Sequence, residues 1–287
     1  MKKYAALIMD LKASRKYSLK SRNEIQDYIY QVICVLNKAF SGALVKDVFF
    51  SAGDELQGLF SSVEASYLYF RLFSMLIAPV EIRAGIGIGE WDVVVENAGT
   101  TAQDGSVYHN ARYAINATEE SLGYSVLLFS RGKNDVIVNS LLNATALIIN
   151  KQSEYQNYVM LISEILYPIN AYGIIKTDVL TTSFLDLMAY RNKNYDVDYP
   201  RTNKNRGNLF ISKLQINSIE SKQIDAIATK DLFFITEGKV RGLPIQLSEI
   251  MNVSRQSANK TIKSANIYEA RNLAVATLKY LKSLEEK

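Results

Sequence analysis

The chain has 287 residues, 48% of them hydrophobic and 22% charged, an ordinary globular composition with a length that suits two domains better than one. A single cysteine, Cys34, and a single histidine, His109, exclude an internal disulfide, a thiolate zinc cluster and any hydrolytic triad not built on that one imidazole. The net charge of +4 is unevenly spread: residues 191–287 carry 17 Lys and Arg against 10 Asp and Glu, so a polyanion is the natural partner of the last third.

In chain order, the apolar run from Tyr4 to Met9 predicts a buried strand with Asp10 at its C-terminal edge. The start, MKKYAALIMDLKAS, meets that acid too early for a secretory apolar region, and no apolar run is long enough to cross a bilayer, so a cytoplasmic location is expected. Ile25, Ile29, Val32, Ile33 and Leu36 recur at helical spacing and predict a helix over 21–39. Two strand-like runs, 45–51 and 55–60, flank Ala52-Gly53-Asp54 and read as a hairpin. A second helix over 62–77 carries Ala65, Leu68, Tyr69, Leu72 and Leu76 on one face and is ended by Pro79. A strand over 80–88, a helix over 106–120 and a strand over 124–130 follow. The predicted fold class is α+β: a ferredoxin-like split β-α-β-β-α-β sheet over residues 1–135, with helices on one face and the other left free for a ligand.

Residues 136–189 are densely apolar at helical spacing and predict a helical connector, which continues through a basic linker from Arg191 to Asn208 that is poor in apolar periodicity. The remaining unit, 209–287, is expected to hold three successive helices over 221–235, 246–251 and 254–265, the spacing of a trihelical helix-turn-helix. Leu247, Ile250, Val253, Ala258 and Ile262 would form its small core, Asn252 tolerates the left-handed turn position, and Ser254 can cap the second helix. The recognition face would then be Ser254, Arg255, Gln256, Ser257, Asn259, Lys260 and Lys263, with no acid among them. Arginine, Gln and Asn can read base edges in the major groove, while the lysines suit phosphates. The alternative is a trihelical unit used for protein contact.

In the N-terminal unit Asp10 ends the first strand, Gly53-Asp54 turns the hairpin, and Arg83, Gly85, Gly87 and Gly89 punctuate RAGIGIGEW. Asp10 and Asp54 would face each other across neighbouring strands, where two carboxylates repel unless a divalent cation or a shared proton sits between them, Mg²⁺ with a nucleotide phosphate being the obvious occupant. The alternative is that each aspartate serves only its own turn.

The succession LIMDLKAS, SAGDELQGLF, IRAGIGIGEW and DGSVYHNARYA resembles the motif order of class III nucleotidyl cyclase domains. That resemblance implies metal ligation by Asp10 and Asp54. The same four blocks together with the C-terminal SRQSANKTIKSA are similar to the SatD family of bacterial proteins over the whole chain, the closer match of the two. Two positions depart from a cyclase. The position of the base-reading lysine is Phe50, with Lys46 elsewhere on the strand, and Asn110 lies two residues from Arg112 rather than four, so the two face different ways on a regular helix. Lys12, Arg15, Lys46, Arg83 and Arg112 are the expected phosphate contacts. The expected function is that of a DNA-binding, homodimeric regulator whose cyclase-like unit senses a nucleotide or dimerises. The alternatives are a metal-dependent nucleotide enzyme and a protein-binding scaffold.

Overall fold

Strand β1 (Tyr4–Leu11) is buried on both sides, which is why its sequence is one continuous apolar run rather than an alternating one. It lies at the centre of a five-stranded sheet with β2 (Leu44–Ala52), β3 (Glu55–Phe60), β4 (Ile82–Gly89) and β5 (Val126–Phe129), in the order β2-β3-β1-β4-β5. All neighbours are antiparallel except β4 and β5, so the fold is mixed α+β and the first four strands take the order that a split β-α-β-β-α-β chain requires. This computed structural model describes residues 2–121, 123–194, 221–228 and 233–285. Among them no helix is long and apolar enough to cross a membrane.

Helices α1 (Leu19–Ala39) and α2 (Val63–Ile77) cover one face, packing on Leu7, Met9, Phe60, Ala84 and Leu128. Each starts at a serine cap: Ser18 accepts from the Ser21 amide at 3.1 Å and Ser62 from the Ala65 amide at 3.3 Å. The opposite face, expected to be free, is covered by α3 (Ser106–Glu120), whose Val107, Ala111 and Ile115 sit on Ala6, Ile8 and Leu59. The glycines of RAGIGIGEW explain the discrepancy. A β-carbon on Gly85 or Gly87 would come closer than 3.0 Å to the backbone of Ala111, so these residues bring a helix into direct contact with the strand.

The edge of β5 is closed by side chains instead of a sixth strand. From α4 (Asp135–Asn150), Asn143 accepts from the Ser125 amide at 2.9 Å and donates to the Val126 carbonyl at 2.6 Å. One turn earlier Asn139 accepts from the Leu128 amide at 2.6 Å and donates back to its carbonyl at 3.0 Å. Asn143→Leu should orphan these buried groups and cost about 1–3 kcal/mol, read as a lower urea midpoint at unchanged slope. A midpoint equal to wild type would mean that the edge is satisfied in another way.

The connector holds α4, α5 (Glu154–Leu166) and α6 (Thr177–Asn194), with a two-residue strand β6 (Ile169–Asn170) pairing in parallel with β7 (Ile224–Asp225). Over residues 221–228 of the helix expected at 221–235 that pairing and a turn stand instead, and residues 229–232 lie outside the described residues. The Asp225 carboxylate then accepts from the Ile227 amide at 3.0 Å and closes a turn. Residues 195–208 of the expected basic linker, and its boundary at 208, lie outside the described residues. Arg191, assigned to that linker, is instead 3% exposed on α6. It donates to the carbonyls of Leu76 and Ala78 at 2.9 Å, where its charge meets the negative end of α2.

The chain ends in α7 (Leu243–Ile250), α8 (Arg255–Ser264) and α9 (Ile267–Glu285). Their buried Leu247, Ile262, Ala274 and Leu278 belong to the same apolar cluster as the α1–α2 face of the sheet. At its middle Arg71 of α2 makes a two-pronged pair with Glu164 of α5, at 2.9 and 2.7 Å, and Arg271 of α9 meets the same carboxylate. All three side chains are at most 1% exposed. Among the described residues one apolar cluster includes members from each of the units expected at 1–135, 136–208 and 209–287.

Candidate functional site

Two regions hold the residues singled out in the sequence: the sheet end around Asp10 and the surface of α8. At the sheet end, β1 and β4 pair so that Asp10 lies opposite Arg83. Arg83 donates twice to Asp10 Oδ2, at 2.9 and 2.5 Å, and also meets Glu119 of α3. Because Met9 pairs with Leu56 in an antiparallel ladder, Glu55, the residue before it in β3, stands beside Asp10 on the other flank. Arg112 of α3 grips Glu55 with both prongs, Nη2 to Oε1 at 2.8 Å and a shorter contact from Nη1 to Oε2. The Arg112 hydrogen bonds hold the Glu55 carboxyl below the usual glutamate range against the opposing effect of burial. Asp10, Arg83, Glu55 and Arg112 thus form a ring of alternating charge, each cation already matched.

Asp54 sits in the hairpin turn with Oδ2 buried and without a hydrogen-bond partner among the described residues. Arg83 engages Oδ2 of Asp10, and among the described residues there is no group of three or more His, Cys, Asp or Glu that could hold a metal ion.

Lys46, an expected phosphate contact, is spent elsewhere. Its ammonium donates to the carbonyls of Val95, Glu96 and Ala98 at 3.1, 2.7 and 3.1 Å, using all three of its N–H bonds. The Gln103 amide binds the carbonyls of Val95, Ala98 and Gly99 from the same side, and Gln57 of β3 donates to Thr100 O at 3.0 Å. Residues 91–103 are folded down in this way beside α3 on the second face of the sheet. Lys12 reaches Glu81 at 3.7 Å, and Arg15 lies exposed on a 3-10 turn, Ser14–Lys16. Asn110 is 3% exposed and donates to Ile88 O at 2.7 Å, so it and Arg112 do face different ways. His109 is exposed and 3.1 Å from Asp104.

Glu55 and Glu119 were not among the sequence candidates. Both carried a signal: Glu55 follows the hairpin acid at the register position opposite Asp10, and Glu119 lies two helical turns beyond Arg112.

In the second region, α7 and α8 are joined by a four-residue turn, residues 251–254, in which Asn252 takes the left-handed conformation with φ 49°. Ser254 caps α8 by accepting from the Ser257 amide at 3.1 Å. Ala258 and Ile262 face inward, while Arg255, Gln256, Ser257, Lys260 and Lys263 are exposed and Asn259 is half-buried. Arg255, Lys260 and Lys263 have no ion-pair partner among the described residues, in contrast to Arg83 and Arg112. Gln256, Asn259, Lys260 and Lys263 line one shallow depression on this surface.

Among solved structures, the chain is similar to one titled "Structure of a bacterial light-regulated adenylyl cyclase", with 11% identity, a TM-score of 0.32, and coverage of 44% of this chain and 74% of that one. Comparison with curated proteins gives no match. The SatD family model matches residues 4–173, the stretch from β1 through the sheet, α4 and α5 to just beyond β6, and on that match the chain belongs to the SatD family.

Proposed function

We propose that this protein binds DNA, with α8 as the recognition helix of a helix-turn-helix formed with α7, and acts as a regulator whose sheet unit senses a ligand or dimerises. The observation that carries the reading is the contrast in charge compensation. Arg83 and Arg112 of the sheet end are matched by carboxylates, whereas Arg255, Lys260 and Lys263 project from a helix without a single acid and have no ion-pair partner among the described residues. Unmatched cations on one exposed face are where a polyanion gains most, by releasing its condensed counterions. Ser254 to Ser257 form the exposed first turn, the part of a recognition helix that meets base edges. Direct turnover of a nucleoside triphosphate is supported less, because a polyphosphate would find Arg83, Arg112 and Lys46 already engaged.

The test is a gel-shift titration of the full chain on genomic fragments, comparing wild type with Arg255→Ala/Lys260→Ala. Loss of two charge contacts should weaken binding at least about tenfold and flatten the log–log salt dependence by roughly two. Equal affinity and equal salt slope in the two proteins would sink the reading.

A further inference from the structure

Helix α8 is tied to the corner between α4 and α5 by side chains of that corner. Gln152 Nε2 donates to the Ala265 carbonyl at 3.0 Å, Gln156 Nε2 donates to Ser264 Oγ at 3.1 Å, and Tyr155 meets the Thr261 hydroxyl. Gln152 is only 8% exposed, so the first of these bonds is shielded from water. Lys151 is the cation that this corner presents. It is exposed, has no ion-pair partner among the described residues, and lines a depression together with Ser264 and Asn266. Ser264 also lines the neighbouring depression that holds Lys260 and Lys263, and it stands one helical turn from Lys260. No acid lines either depression. The acid of the corner, Glu154, lies on a different surface beside Ser74 and Pro79, where it accepts from the Tyr158 hydroxyl at 3.1 Å. The unmatched charge of α8 therefore continues past Ser264 onto the α4–α5 corner.

We propose that Lys151 is a phosphate contact for DNA, supplied by this corner to an interface that α8 begins. The proposal rests on the reading of α8 as a recognition helix. A helix is about 10–12 Å across and the major groove about 12 Å wide, so a helix seated there has a phosphate strand along each flank. The corner lies along the flank of α8 that carries Thr261 and Ser264, and Lys151 meets the strand on that side. The bonds from Gln152 and Gln156 hold the corner at a set distance from the recognition face, and fixed phosphate contacts of this kind set a protein's register on the duplex. Lys151 belongs to the stretch that the SatD family model matches, while α8 lies beyond it, so the interface draws on both parts of the chain.

The experiment extends the gel-shift titration of the full chain to Lys151→Ala over a series of salt concentrations, with Lys133→Ala as the control. Lys133 is also exposed, at the other end of α4, roughly 24 Å away along a helix of 16 residues. Lys151→Ala should weaken binding about threefold to tenfold, equally on every fragment, and flatten the log–log salt dependence by about one, whereas Lys133→Ala should match wild type. Wild-type affinity and slope in Lys151→Ala, or an equal loss in Lys133→Ala, overturns the proposal. A lower Tm with an unchanged slope overturns it too, and assigns Lys151 to the negative end of α4. In each of these cases the DNA reading stands as long as Arg255→Ala/Lys260→Ala loses binding, and that reading fails separately if the double variant binds as wild type does.

Discussion

Glu164→Ala is expected to cost about 3–5 kcal/mol, because it leaves Arg71 and Arg271 buried side by side without a counter-charge. The loss should be larger than the sum of the deleted contacts, since what remains is a pair of desolvated like charges. Urea denaturation of wild type, Glu164→Ala and the triple replacement Arg71→Met/Glu164→Leu/Arg271→Met separates the explanations. If the network matters chiefly for charge balance, the triple replacement recovers much of the stability lost by the single one, because apolar groups of similar volume need no counter-charge. A single variant as stable as wild type would refute the charge argument. The pH dependence has a fixed sign. Burial pushes the Glu164 carboxyl up, but Arg271 and then Arg71 beside it outweigh burial and hold it below the ordinary glutamate value. A depressed folded-state pKa gives stability that is complete above the unfolded value of about 4.3 and is lost as pH falls through the folded one. Acid unfolding of wild type should therefore show a component that is missing from the triple replacement.

Gly87→Val is the second large effect. A β-carbon there lands within 3.0 Å of the Ala111 amide and the Val107 carbonyl, both backbone atoms of α3 that cannot swing aside as a side chain can. Helix and strand must separate, and the expected cost is about 3 kcal/mol, read as a lower urea midpoint. The separation would also pull Arg112 away from Glu55, because both rest on the seating of α3. A spectroscopic probe at Trp91, packed edge-on to Tyr4 at 5.7 Å between ring centres, would report the lifted α3 and loop 91–103 together. Wild-type stability in Gly87→Val would mean that α3 does not lie where it is described.

Most of the elements were legible because each is specified locally. The helix over 106–120 and the strand over 55–60 coincide with α3 and β3, and the cap Ser254 and the turn residue Asn252 act as their chemistry requires. What was not legible depends on residues far apart in the chain. Nothing in the neighbourhood of Arg71, Glu164 or Arg271 announces that the three meet, since they are joined only when α2, α5 and α9 are packed. The glycines of RAGIGIGEW were visible, but a strand that admits a helix and a strand that admits a ligand use the same residue, and only the position of α3 distinguishes them. The strand at Ile224–Asp225 has too few residues to carry a period and exists because β6 lies beside it. At the sheet end the partners of the charges were not legible: Arg83 and Arg112 are matched by Asp10, Glu55 and Glu119, and register and helix phase decide that.

The asparagines of α4 also set a timetable for synthesis. All five strands precede Asn139 and Asn143 in the chain, so a growing polypeptide can assemble its sheet before it possesses the residues that close β5. At roughly 5–20 residues per second, the step from Phe129 to Asn143 takes about one to three seconds, during which the last strand presents bare amides and carbonyls to any neighbouring chain. A ribosome pause in that interval lengthens the exposure of this edge, which ends when α4 folds back onto β5.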